Sequence, residues 1–290
     1  MSLQQITAPP ILDSTGQAII EAINKISNSG VYHPYTSREP SNITSRIQAD
    51  SGASLFAAIA AQDLESYGYK IGDYFESPSN RSLYQQSNNS SSQTSVSVKL
   101  KYWIADLDTY YGGYVSYAVV NTHHIGIVVD TGVTRQWHTG DVSSVGYNGS
   151  TLKTFLEGTG SGQVMTAIKA DMIALFGGST GLEHLLSHSK LYTTALENWA
   201  WQNSIYISAL TESEIYGHRE WSINSYQEGE AVKPLDIFQK YCFNRIFGNK
   251  WLWLRNIQAA SAACAAYEIG YAVAVGVAYT RGAVGLILLH

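Results

Sequence analysis

Trp251-Leu252-Trp253-Leu254-Arg255 is followed closely by Ala259-Ala260-Ser261-Ala262-Ala263-Cys264-Ala265-Ala266-Tyr267-Glu268-Ile269-Gly270-Tyr271-Ala272-Val273-Ala274-Val275-Gly276-Val277-Ala278-Tyr279. The first run carries large side chains at consecutive positions, so a strand there is buried on both faces. The second run mixes small residues with scattered tyrosines. A buried Ala-rich helix is one reading of it, but Gly270 and Gly276 would each cost such a helix about 1 kcal/mol. Val and Tyr favour strands, and no polar stripe recurs at 3.6-residue spacing. Strands and loops that present small side chains and rigid tyrosines have the composition of a recognition surface.

Toward the N-terminus the elements alternate in type. Pro234, followed by Leu235, Phe238, Tyr241, Cys242 and Ile246, predicts a helix with Pro in its first turn, closed by Gly248. Thr211-Glu212-Ser213-Glu214 has the spacing of a capping box and opens one or two turns up to Tyr216-Gly217. Met165, Ile168, Met172, Ile173 and Phe176 predict a helix stopped by Gly177-Gly178, and Leu182 to Leu186 a shorter one. The run Val98 to Ile104 alternates strictly and reads as a strand, as do Tyr117 to Asn121 and Ile125 to Val129. Tyr69 to Phe75 starts a β region, and Ser79 to Ser97, with Asn88-Asn89-Ser90-Ser91-Ser92, reads as a loop in water. A helix over Leu55 to Tyr67 is capped by Ser54. Helices packed on short mixed strands predict an α+β domain over residues 51–290. Residues 1–50 read as an appendage. Ser14 and Gln17 have capping-box spacing, Ile19, Ile20, Ile23 and Ile26 recur as a helical stripe, and Val31 to Ser51 is a polar, proline-bearing linker. Such a stripe packs on the main domain or on a second copy, so a homo-oligomer is compatible with it.

The balance of the 290 residues narrows the function. Apolar residues make up 45%, which supports a sizeable core, whereas charged residues are only 14% against a usual share of about 25%. The net charge of −5 argues against a nucleic-acid partner. The start of the chain has no cationic, apolar leader, and the segment from Ala259 to Ala278 is too small and polar for a membrane span. Two cysteines, Cys242 and Cys264, make no disulfide framework and read as small buried residues. Nucleotide-binding, hydrolase, zincin and EF-hand motifs are absent. His123 and His124, adjacent in a strand, would point to opposite faces and not share a metal, and Asp106 and Asp108 lack a third group for acid–base work. The expectation is a protein with no catalytic residue, no metal and no cofactor.

The C-terminal pieces Trp253-Leu254-Arg255-Asn256, Gly270-Tyr271-Ala272 and Gly282-Ala283-Val284-Gly285-Leu286-Ile287-Leu288-Leu289 fall in a recognisable order. Ahead of them, in sequence, lie Ile71-Gly72-Asp73, Trp103 to Tyr110, Asn121-Thr122-His123-His124-Ile125, Asn198-Trp199-Ala200-Trp201, Leu210 to Gly217 and Trp221-Ser222. From about residue 65 onward the chain resembles the variable proteins of diversity-generating retroelements, a phage, bacterial and archaeal family with a C-type lectin-type fold, also that of the formylglycine-generating enzymes. It departs from the family at Ala283-Val284-Gly285, which stands where the pattern has V-R-P. In that family an error-prone reverse transcriptase rewrites adenines, and asparagine codons become Ser, Gly, Ala, Val, Ile, Tyr, Thr, His or Asp. The resemblance implies a non-enzymatic ligand- or receptor-binding protein, displayed on a virion or cell surface, with a hypervariable segment at about 256–281. Its ligand-facing residues would be Ala260, Ser261, Ala262, Ala265, Tyr267, Ile269, Tyr271, Val273, Val275, Val277, Ala278, Tyr279 and Thr280, with Glu268 a fixed position among them. The partner would be a protein or other surface ligand. Trp253, Leu254 and Arg255 would be framework, with Trp103, Trp199, Trp201, Trp221 and Trp251 supplying buried area. The calcium and sugar motifs of lectins are absent. Two alternatives share the fold: a structural virion or cell-surface protein without diversification, and an oxidase of the formylglycine-generating type.

Overall fold

In the computed structural model the described residues are 39–88, 90–108, 122–140, 142, 144–196, 198–218, 220–222, 234–267 and 270–290. The stripe Ile19 to Ile26 with its Ser14/Gln17 capping spacing, and the strand expected over Tyr117 to Asn121, lie outside them.

Short elements follow one another along the compact unit Pro40–His290. Helices α1 (Thr44–Asp50) and α2 (Ala53–Ala60) precede strands β1 (Tyr74–Glu76), β2 (Arg81–Gln86), β3 (Gln93–Val98), β4 (Lys101–Leu107) and β5 (Ile125–Gln136). Helices α3 (Thr151–Glu157) and α4 (Val164–Leu175) and a 3-10 turn (Gly178–His184) come next. Strands β6 (His188–Ala195), β7 (Asn198–Ile205) and β8 (Ile207–Ser208) lead into helices α5 (Glu212–Tyr216), α6 (Asp236–Lys240) and α7 (Phe243–Phe247). The chain closes on β9 (Leu252–Ala259), β10 (Ala262–Ala266), β11 (Ala272–Gly276) and β12 (Thr280–Leu289). The architecture is α+β.

One eight-stranded sheet runs β1-β4-β5-β12-β9-β10-β11, with β8 also on β12, and two separate hairpins, β2-β3 and β6-β7, stand beside it. β12 is the hydrophobic spine: Ala283 to Leu289 are buried, and β5 lies antiparallel to β12 along most of its length. At its start β12 meets β9 in parallel through the pair Gly282–Leu252. A β-carbon at Gly282 would stand 2.7 Å from the Leu252 side chain, so glycine there permits the two strands to meet.

Several expectations are corrected. The water-exposed loop over Ser79 to Ser97 is instead the β2-β3 hairpin. Leu83 supplies its one fully buried apolar side chain, and Arg81 reaches Asp171 on α4 with Nε at 2.7 Å. Asp171 also accepts from Ser77 Oγ at 2.5 Å and Tyr102 OH at 2.6 Å. A polar hub thus fastens strands that hydrophobic patterning alone does not mark. The single strand Val98 to Ile104 divides between β3 and β4. The linker read up to Ser51 contains α1, whose Ile47 is fully buried, so the folded unit begins earlier than residue 51. The helix from Leu55 begins two residues earlier, after Gly52, and ends at Ala60. The helix expected from Pro234 to Ile246 is two short ones broken at Tyr241-Cys242. At Thr211 the capping box forms as read: Glu214 N donates to Thr211 Oγ1 at 3.0 Å and Thr211 N donates to Glu214 Oε2 at 2.8 Å.

Candidate ligand-binding surface

The framework under the C-terminal segment is built from side chains. Trp253 on β9 is fully buried and its indole N–H donates to the Arg135 carbonyl at 2.7 Å. In return Trp137, just past β5, donates to the Leu254 carbonyl at 2.7 Å. These two reciprocal bonds tie β5 to β9. Arg255, also buried, donates from Nη1 to the Leu191 carbonyl at 2.6 Å and lies over the Tyr192 ring, so β9 holds the β6-β7 hairpin as well. Glu212, fully buried, accepts the backbone N–H groups of Trp221 and Ser222 at 2.9 and 3.0 Å.

The segment after β9 is anchored differently. Several of its hydrogen bonds to the rest of the domain engage its own main chain. Val142 N donates to Ala260 O at 2.7 Å, and Trp137 N and His138 N both donate to Val277 O, at 3.1 and 3.2 Å. The Gln136 side chain donates to Ala278 O at 2.7 Å. Thr280 donates its N–H to Asn88 Oδ1 at 2.7 Å, and here the hydroxyl joins it at 2.6 Å. Internally, Tyr267 N reaches Tyr271 O at 2.9 Å and Gly270 N reaches Tyr267 O at 2.8 Å, closing the β10-β11 hairpin. Gly270 sits at φ +89°, a conformation that glycine takes without strain.

Of the thirteen residues expected to face ligand, three are exposed, six are half-buried and three are buried. Ser261, Tyr271 and Tyr279 are exposed, Tyr271 by 51% and Tyr279 by 46%. Ala260, Ala262, Tyr267, Val273, Ala278 and Thr280 are half-buried. Ala265, Val275 and Val277 are buried and display nothing. The cause is tertiary. β10 lies between β9 and β11, Ala265 is registered beside Trp253, and Val275 is registered beside Ala263, itself fully buried. Ile269, and Glu268, which the resemblance implies to be fixed, lie outside the described residues.

Aromatic and cationic groups line the same edge. Tyr271 stacks on Tyr267 with centroids 4.8 Å apart, and Tyr267 meets Trp251 edge-on at 4.3 Å. Arg281 covers Trp251 at 4.5 Å from its centroid and reaches Tyr279 at 5.5 Å. Trp251 is thus half-buried under this ladder, while Trp201 and Trp221, expected in the core, are exposed, and Trp199 is only half-buried. Trp137, which the sequence reading passed over, takes a core place with Trp103 and Trp253.

Elsewhere the polar candidates resolve into local structure. His123 and His124 precede β5 rather than lying in a strand, and both address Asp108: His123 Nδ1 lies 2.9 Å from Oδ2, and His124 N donates to Oδ1 at 2.8 Å. Burial pushes the His124 imidazole below its ordinary pKa. Asp108 follows β4 at φ +51°, so it shares no strand face with buried Asp106. Cys264 is buried and Cys242 half-buried, and neither is in a disulfide. Among the described residues no cluster of three or more His, Cys, Asp or Glu is placed to hold a metal, and no helix is long and apolar enough to cross a membrane. No family model, no curated protein and no solved structure matches the chain.

Proposed function

We propose that the chain is a non-enzymatic binding protein of the diversity-generating retroelement type, a C-type lectin-type domain whose segment at about 256–281 displays a diversified ligand surface. The observation that carries this reading is the anchoring of that segment. Hydrogen bonds from Gln136, Trp137, His138 and Val142 end on the carbonyls of Ala260, Val277 and Ala278, which any side chain leaves in place. A surface so held tolerates replacement of Ala260, Ser261, Ala262, Tyr271, Val273, Ala278 and Tyr279 without losing its backbone course. Exposed, rigid tyrosines supply contact area at small entropic cost. The partner is a protein or other surface-borne ligand. Sequencing the DNA around the gene tests the reading. A near-copy of the 256–281 coding stretch with extra adenines, beside a reverse-transcriptase gene, is the expected finding. If neither is present, the diversification reading is lost.

A further inference from the structure

Beside the ladder lies a groove of about 370 Å³, walled by Thr134 on β5, by Asn249, Lys250 and Trp251 ahead of β9, and by Arg281 and Gly282 on β12. Its chemistry is unbalanced. The other cation, Lys250, is paired with Asp130 at 2.9 Å, whereas Arg281 forms no ion pair with a described residue. Arg281 Nη1 donates to the neighbouring Thr280 carbonyl at 2.7 Å, and its Nε is buried without a hydrogen-bond partner. Burial lowers the pKa of this guanidinium, the expected signature of a charge held out of water without a counter-ion. Packing between Trp251 and Tyr279 fixes the guanidinium plane in advance, so binding an anion costs little side-chain entropy. In a chain of net charge −5, this is a positive site.

The geometry points to the groove as a receptor for an acidic peptide segment, in which an Asp or Glu carboxylate pairs with Arg281 and an adjoining apolar side chain fills the groove. A carboxylate fits the guanidinium fork bidentately. At the groove itself the rings disfavour a sugar: Trp251 is covered by Arg281 and abutted by Tyr267, and Tyr267 lies between Trp251 and Tyr271, so neither Trp251 nor Tyr267 is an open stacking platform for a pyranose. This inference rests on the reading of the 260–280 edge as ligand-facing, and names the chemistry of what it faces.

The test is selection of a displayed random hexapeptide library on the full chain, on Arg281→Gln, on Arg281→Lys and on the Tyr271→Ser/Tyr279→Ser variant, with melting curves showing that each is folded. Peptides selected on the unaltered protein are expected to carry Asp or Glu at one position several-fold above the library. The enrichment should vanish with Arg281→Gln and be weaker with Arg281→Lys, which keeps the charge but not the fork. Peptides without acidic enrichment, or enrichment that survives Arg281→Gln, overturn the inference. Selection of no peptide, with Arg281-dependent binding to a panel of sialylated and sulfated glycans instead, overturns it too. Binding lost with the tyrosines but indifferent to Arg281 sinks the inference and leaves the ligand-facing edge standing. Acidic selection that needs Arg281 and ignores both tyrosines does the reverse.

Discussion

β9 and the hairpin that follows it are neighbours in chain and in sheet, yet they differ in how far their own side chains hold them: β9 adds side-chain anchors to main-chain bonds such as Trp137 to the Leu254 carbonyl. β9 is fixed by what its side chains do: Trp253 and Arg255 donate to carbonyls on β5 and β6, and Leu252 to Ile257 are all buried. The 260–280 segment is fixed largely by what its main chain accepts, and its outward side chains at Ser261, Tyr271 and Tyr279 stand in water. The difference teaches where a fold can absorb sequence change. A bond that ends on a carbonyl survives any substitution at that residue, while one that starts from an indole or guanidinium does not. The inner members Ala265, Val275 and Val277 mark the limit of that freedom within the segment itself.

The largest effect expected is on the framework side. Trp253→Ala removes a fully buried indole and orphans the Arg135 carbonyl, and should cost roughly 3–5 kcal/mol, read as a shifted midpoint in denaturant. A loss under 1 kcal/mol would erase the contrast drawn between β9 and its neighbour.

The other end of the folded unit sharpens the same point. Ile47 on α1 is as buried as Trp253, so Ile47→Ala should cost about 2–5 kcal/mol. Starting the chain at Pro40 should leave the unit folded, whereas starting it at Ser51 deletes Ile43 and Ile47 and should lower the melting temperature sharply. Equal melting of the two truncated chains would show that α1 is dispensable.

A pH scan separates the two regions by charge. His188, on β6, is buried beside Lys190, and burial first and then the neighbouring cation lower its pKa to about 3. The folded-state value lies below the unfolded one. Stability is therefore full above about pH 6.5 and falls as acid is added, because the unfolded chain takes up a proton that the folded one refuses. The slope between pH 6.5 and about 4.5, before the carboxylates titrate, should approach about 1.4 kcal/mol per unit. His188→Gln should make that limb shallower, leaving the part contributed by His124 and His138, whose burial lowers their pKa in the same direction. If the slope is unchanged in the variant, some other group carries the acid sensitivity.

How much of this was legible beforehand follows from what each element depends on. The capping box at Thr211 and Glu214 is a contact across three residues, so its spacing alone discloses it. The run Trp251 to Leu254 is apolar at every position, and the helix over Val164–Leu175 repeats its apolar residues in period; both emerge from local pattern. The β2-β3 hairpin does not, because Ser, Gln and Asn fill it and its hold comes from Asp171, some ninety residues away in sequence. α1 was hidden because Ile47 is its single buried side chain, joined only by Ile43 just ahead of it in a polar stretch. At the candidate surface the strand-and-loop character was visible in Gly270, Gly276 and the Val and Tyr residues. Which alanines and valines turn inward was not, since that depends on β10 lying between two other strands. Arg281 was passed over for the same reason: its stacking on Trp251 joins residues thirty apart.

The smallest expected effect on stability decides the most about function. Tyr271 and Tyr279 are about half exposed, so replacing each by Ser should cost only about 0.5 kcal/mol. Tyr267 differs, because it is half-buried between Trp251 and Tyr271, and Tyr267→Ser should cost the further 0.5–1.5 kcal/mol or so of a lost aromatic pair. If the edge faces ligand, the double variant Tyr271→Ser/Tyr279→Ser should melt nearly as the parent does while losing about 2 kcal/mol or more of binding to the selected peptides. That combination, small in stability and large in affinity, is the inverse of what Trp253→Ala should show. A double variant that melts as low as Trp253→Ala would place those tyrosines in the support of the domain, since a side chain cannot hold up the fold at that cost and also be free to change.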